Sequence, residues 1–117
     1  EAYYNFSFRY NKSEFKDLPV SKFRAALTAE LGIEVAASYI PLNKCSLYAP
    51  LTKPARHKLS DDYWKAIDPS GFKLPVCDRV HYEESACIHH KILMGTKNDM
   101  DLIAEAIYKV LDNAESI

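Results

Sequence analysis

Four histidines (His57, His81, His89, His90) and three cysteines (Cys45, Cys77, Cys87) are the side chains in this sequence with ligand or nucleophile chemistry. Cys77, Cys87, His89 and His90 form the nearest cluster, but tetrahedral zinc sites use paired ligands such as C-x2-4-C or H-x3-5-H. Adjacent His89 and His90 on a strand point to opposite faces, so the spacing argues against a metal. No recognisable catalytic context surrounds any cysteine, and each reads as a small buried hydrophobe. The acid pairs Asp61-Asp62 and Glu83-Glu84 are adjacent rather than set across a cleft, which fits solvated helix charges better than general acid and base partners. Lys91 lies in a strand with no phosphate or pyridinium partner near it in sequence, and reads as a surface residue. No catalytic set emerges from these residues.

The elements that would position them follow from periodicity. Tyr4, Phe6, Phe8 and Tyr10 alternate with Asn5, Ser7 and Arg9, the period of a half-buried strand with Arg9 on its polar face. Ser21 is a plausible N-cap for a first helix with Phe23, Leu27 and Leu31 on one stripe, closed by Gly32. Ile33 to Ala37 reads as a short second strand. Ser38 to Lys58 contains Pro41, Pro50 and Pro54 and no sustained period, the pattern of a long ordered loop, and such loops are often functional. Ser60-Asp61-Asp62 caps a short helix carrying Tyr63, Trp64 and Ile67, which Asp68-Pro69-Ser70-Gly71 ends. Pro75 opens a third short helix through Cys77, Val80 and Glu84.

The last third organises the rest. Ala86 to Met94 reads as a strand broken by Gly95, and Thr96 with Asp99 three residues later forms a capping box. Met100, Ile103, Ala104, Ile107, Val110 and Leu111 then share one helical face directed at the sheet. Lys109 suits the last turn, and Asn113 suits a left-handed stop. The order predicts an α+β two-layer domain spanning residues 1–117, a small sheet with its helices mainly on one face.

Composition narrows the function classes. The 117 residues make about one domain, and 15 basic against 16 acidic residues give a net charge of −1. That balance leaves no electrostatic footprint for nucleic acid. No apolar run approaches the roughly 20 residues that span a bilayer. Glu1-Ala2-Tyr3-Tyr4 does not open a signal peptide, and a sparse, odd set of cysteines agrees with a reducing compartment. These features predict a soluble, cytoplasmic protein. A chain that opens straight into a strand also reads as a fragment of a longer one. Three glycines, none clustered, make a self-contained nucleotide fold implausible.

Three stretches in order go further: Ser7-Phe8-Arg9-Tyr10, Tyr39-Ile40-Pro41-Leu42-Asn43-Lys44-Cys45-Ser46-Leu47-Tyr48, and Leu93-Met94-Gly95-Thr96-Lys97-Asn98-Asp99-Met100-Asp101. Together with Tyr63-Trp64, Pro69, Phe72 to Cys77, Arg79 and Glu83-Glu84, they resemble the C-terminal small domain of the DegT/DnrJ/StrS aminotransferases. Those are pyridoxal-phosphate enzymes of the aspartate aminotransferase fold that aminate keto sugars and ketocyclitols. The segments look most like the branch that moves an amino group from glutamine to scyllo-inosose or 2-deoxy-scyllo-inosose.

The resemblance implies a ping-pong transamination in the full-length enzyme, with pyridoxal phosphate as electron sink. It places the Schiff-base lysine and most cofactor contacts in a large N-terminal domain with no counterpart here. On that reading the chain binds no cofactor and is inactive alone. Its partners are the large domain of the same polypeptide and a second subunit of a homodimer. The substrate-binding residues implied are Asn43 and Tyr48 in the loop, and His89 or His90 for the donor carboxylate. Asn43 stands where keto-sugar members often have His, and Ser46 where many have Pro. The neutral amide suits hydroxyl groups. A cut surface of this kind predicts an exposed apolar patch and self-association. The alternative is a free-standing α+β binding module, since fold does not fix function.

Overall fold

The computed structural model describes residues 4–117; the reading of Glu1-Ala2-Tyr3-Tyr4 as no signal peptide falls mostly outside them. Strand β1 (Asn5–Arg9) pairs antiparallel with β2 (Ser85–His89), placing Phe8 opposite Ala86 and Ser7 opposite Cys87. Among the described residues four α-helices follow in chain order: α1 (Val20–Leu31), α2 (Asp61–Ala66), α3 (Pro75–Arg79) and α4 (Lys97–Asp112). The α+β two-layer reading holds, with a two-stranded sheet as its minimal form.

An aromatic centre holds the layers together. Phe23 of α1 is 1% exposed, and its ring lies 4.6 Å from Tyr10 and 4.9 Å from Phe15. Phe8 reaches the same ring edge-on from the sheet, at 6.4 Å. Leu18, Val20, Leu27, Val35, Ala86, Ala106, Val110 and Ala114 complete the core. Tyr10 donates its hydroxyl to the carbonyl of Leu18 at 2.7 Å, so the polar end of a buried ring is satisfied.

Several elements depart from the sequence expectation, each for a local reason. Helix α1 starts at Val20 with Pro19 as its cap, not Ser21. Leu18 and Val20 are both buried, which draws the first turn inward, and proline presets the backbone angle there. Ile33 to Ala37 is not a strand. The N–H of Val35 donates to Thr28 Oγ1 at 3.0 Å, leaving only an isolated antiparallel bridge between Ala36 and Cys87. The last strand ends at His89, opposite Asn5, where β1 runs out of partners, and His90–Met94 curls into a 3-10 turn. The third helix does not continue regularly either: α3 widens into a π turn over Val80–Glu84.

Helix α4 carries the predicted box: Thr96 Oγ1 accepts from the Asp99 N–H at 3.3 Å, and Asp99 Oδ2 accepts from the Thr96 N–H at 2.7 Å. Its buried face is centred on Ala106 and Val110 and packs chiefly on α1 rather than on the sheet, while Ala104 is exposed. The reason is that α1 already covers β2. Lys109 reaches across to Glu30 of α1 at 2.7 Å. Asn113 sits at φ −99°, not left-handed, and its side chain donates to the Lys109 carbonyl at 2.8 Å. The side chain thus satisfies the carbonyl that a left-handed turn would have served.

These caps make a stability prediction. The hydrogen bonds from Thr96 hold the Asp99 carboxyl below the usual carboxylate range. A depressed folded-state pKa gives stability that is present above the ordinary value and lost as pH falls through the lowered one. Thr96→Ala should cost about 1 kcal/mol in urea unfolding at neutral pH. The penalty should shrink toward pH 2. A penalty that does not change with pH would contradict the coupling.

Candidate functional site

Residues between Ser38 and Glu84 leave the two-layer core as a long arm, and in that stretch only Pro41 is buried. The arm stretches the molecule to 58 × 31 × 22 Å, with a radius of gyration of 19.0 Å. A compact chain of this length has about 13 Å. Polar contacts shape the arm from within. Ser60 caps α2 by accepting from the Tyr63 N–H at 3.2 Å. Asp68 accepts from the Ser70 N–H at 2.9 Å, which pulls its carboxyl below the usual range. Lys44 donates to Asp78 at 2.6 Å and lies 4.9 Å from the centre of the Tyr82 ring. The bond to Asp78 raises the lysine pKa, against a smaller opposing effect of burial.

Asn43 and Tyr48 both lie on this arm. Asn43 Nδ2 donates to the Phe72 carbonyl at 2.9 Å, which ties the 42–44 turn to the 69–71 turn. Its Oδ1 is enclosed and has no hydrogen-bond partner among the described residues. Such an acceptor costs on the order of 1–3 kcal/mol until a donor reaches it. Tyr48 is half-buried, and its N–H donates to the Cys45 carbonyl at 3.0 Å.

The histidines stand elsewhere, at the end of β2. Their rings do not point to opposite faces: the centroids are 4.4 Å apart with the planes inclined at 35°. The strand ends at His89, so His90 obeys the turn rather than the pleat. His89 Nδ1 accepts from the Lys91 N–H at 3.3 Å, which leaves the proton of a neutral ring on Nε2. His90 Nδ1 lies 2.9 Å from the Tyr4 carbonyl, which can only accept, so that nitrogen carries the proton.

A cleft of about 820 Å³ opens beside the polar face of the sheet, lined among others by Tyr4, Ser7, Tyr39, Cys87, His89 and Lys91. Ser7 Oγ and Cys87 Sγ meet at 3.2 Å on its floor. A hydrogen bond to Tyr4 raises the Tyr39 phenol pKa above its ordinary value. Of the four residues implied by the resemblance, only His89 lines this cleft; Asn43, Tyr48 and His90 do not. Tyr4, Ser7 and Tyr39 were not among the sequence candidates. Strand alternation places Ser7 on the polar face, but nothing local announces that Tyr39 folds back over it.

The remaining candidates resolve simply. Cys87 is buried as expected, but Cys45 is half-buried and Cys77 exposed. Glu84 is not a solvated helix charge: it accepts from Arg9 at 3.3 Å and from Arg79 at 2.9 Å with its side chain 18% exposed. Arg9 is thereby an ion-pair residue, while Asp61 and Asp62 are exposed in the first turn of α2. Among the described residues no three His, Cys, Asp or Glu side chains converge as a metal set, and no helix is long and apolar enough to cross a membrane.

No protein-family model matches the chain. An L-glutamine:2-deoxy-scyllo-inosose aminotransferase of Streptoalloteichus tenebrarius is 39% identical over 110 residues, covering 94% of this chain and 26% of that protein. The chain is similar to this aminotransferase over nearly all of its own length. A second of the same name, from Streptomyces kanamyceticus, is 40% identical over 112 residues, covering 96% of the chain and 26% of the relative. An L-glutamine:scyllo-inosose aminotransferase of Streptomyces griseus is 37% identical over 119 residues, covering 99% and 27%. The similarity to glutamine:inosose aminotransferases bears out the resemblance drawn from the motifs. It runs through core, arm and helix α4 alike, and the chain spans about a quarter of the length of these relatives.

Proposed function

We propose that the chain is the C-terminal small domain of a pyridoxal-phosphate aminotransferase that moves an amino group from glutamine or glutamate to a keto-cyclitol or keto-sugar. The observation that carries this reading is the 36–40% identity, over nearly the whole chain, to proteins named as glutamine:inosose aminotransferases. The domain works within a larger cytoplasmic polypeptide, as a homodimer, and is catalytically incomplete by itself.

The residues present do not fit the cofactor. An anion seeks uncapped backbone N–H groups at a helix start, but the Asp99 carboxylate already occupies that place on α4. A Cβ built on Gly95 would lie 2.7 Å from the same carboxylate oxygen, so no open cradle exists there. Lys91, which lines the cleft, is exposed to solvent rather than held in a dry pocket. On this reading pyridoxal phosphate is held by residues outside this chain, and no chemical step is assigned to residues within it.

What the chain contributes is binding. His89 keeps Nε2–H as a donor suited to a donor-substrate carboxylate, while His90 has its Nδ1–H committed to Tyr4. Asn43 holds an enclosed amide oxygen with no partner among the described residues, a group whose chemistry suits a cyclitol hydroxyl, and Tyr48 closes the next turn of the arm. The alternative, a free-standing module, is disfavoured by a long arm that buries almost nothing and has no core of its own.

The full-length gene product should transfer labelled nitrogen from glutamine to an inosose. Asn43→Ala should raise KM for the inosose about 3–10-fold, the worth of one neutral hydrogen bond. No transfer by the full-length product would overturn the reading.

A further inference from the structure

Where the arm leaves the sheet, all three polar groups of one residue are held. The N–H of Ser38 donates to Ser85 Oγ at 2.9 Å, and Ser38 Oγ accepts from the Ser85 hydroxyl at 3.0 Å. The Ser38 carbonyl lies 2.7 Å from His81 Nδ1 and accepts its proton. Ser85 is 5% exposed, so these bonds compete little with water. Arg24 of α1 completes the cluster, donating to the carbonyls of Ser85 at 3.0 Å and His81 at 3.4 Å. Those carbonyls sit around the end of the π turn, where the helix dipole favours a cation and the wide turn leaves acceptors to be served.

The cluster joins both ends of the arm. Ser38 begins it, and the π turn that carries His81 brings the chain back from it into β2. One knot thus fixes where the arm departs and where it returns, and it welds both points to α1. With so little buried beyond Ser38, the angle of the arm is set at this root and by the contacts within the arm.

We propose that His81 and Ser85, which clamp Ser38, and Arg24, which braces both through their carbonyls, are positioning residues that set where the arm presents Asn43 and Tyr48 to the substrate. They act through Ser38 and touch no substrate. This inference rests on the aminotransferase reading above, and its test separates the two.

The donor at the δ position of His81 is the discriminating feature. An asparagine amide nitrogen falls near that position, whereas a glutamine amide reaches further. In the full-length gene product, His81→Gln should raise KM for the inosose about tenfold with kcat within about twofold, the signature of lost binding rather than lost chemistry. His81→Asn should bring KM back to within about threefold of the parent. Equal KM values for the parent and both variants, or an equal fall of kcat and kcat/KM, would overturn the clamp. If the parent protein transfers no nitrogen, the aminotransferase reading fails, and hydrogen exchange on the 117-residue chain decides the clamp alone. Ser85→Ala should then speed exchange at the Ser38 amide at least about tenfold while Val110 in α4 is unchanged. Equal exchange at Ser38 in parent and variant would overturn it.

Discussion

Phe23→Ala destabilises the domain by about 3–5 kcal/mol, a large part of what a domain of this size has. The ring is 1% exposed and is contacted on several sides by Tyr10, Phe15 and Phe8. Truncation leaves a cavity lined by rigid rings, which collapse into it poorly because each is fixed by its own strand or turn. Tyr10 is anchored by its bond to the Leu18 carbonyl, so it does not swing in to fill the space. Urea titration would show a lower midpoint with an unchanged slope. A loss below about 1 kcal/mol would mean the aromatic cluster is not the centre of the core. Tyr10 adds a pH signature: burial first, and Asp17 second, raise its phenol pKa. The neutral ring therefore stabilises the fold up to about pH 10, and that contribution is lost as pH rises through the raised value.

The second large effect concerns the arm. Fixing one residue's backbone costs roughly 1–2 kcal/mol, and burial is what offsets it. Between Ser38 and Glu84 burial is almost absent, while Leu47 is 93% exposed, Tyr39 77% and Leu42 61%. In the chain alone, amides from Cys45 to Leu59 should exchange at close to unprotected rates while those of α1 and β2 stay protected. Covered by the rest of the polypeptide, the same amides should be protected at least about 100-fold, as expected for a segment packed against a partner. The exposed leucines should also drive concentration-dependent self-association of the chain, measured by sedimentation. Equal exchange of the arm in the chain and in the full-length product, with a monodisperse chain at high concentration, would show that the arm has no partner surface.

Legibility from sequence followed the range of the interactions. The box at Thr96 and Asp99 spans three residues and the stripe through Ile103, Ile107 and Val110 repeats every three or four, so both were readable. The cap of α2 at Ser60 was readable for the same reason. The short strand at Ile33 was misread because the bond that prevents it comes from a side chain, Thr28, on the preceding helix. His89 and His90 were misread because the end of β2 depends on where β1 starts, 84 residues earlier by the register of Asn5 with His89. The Ser38 clamp was invisible, since Ser85 lies 47 residues away and His81 acts through the backbone. Of the candidate site, residue types were legible, but their division between arm and strand end was not.

The measurement that tests the account most directly is a pyridoxal-phosphate titration of this chain beside the full-length gene product, followed by nitrogen transfer from glutamine to an inosose. The account predicts that the full-length protein alone acquires the absorbance of bound cofactor and then aminates the inosose. Cofactor binding by the isolated chain, or none by either protein, would contradict it.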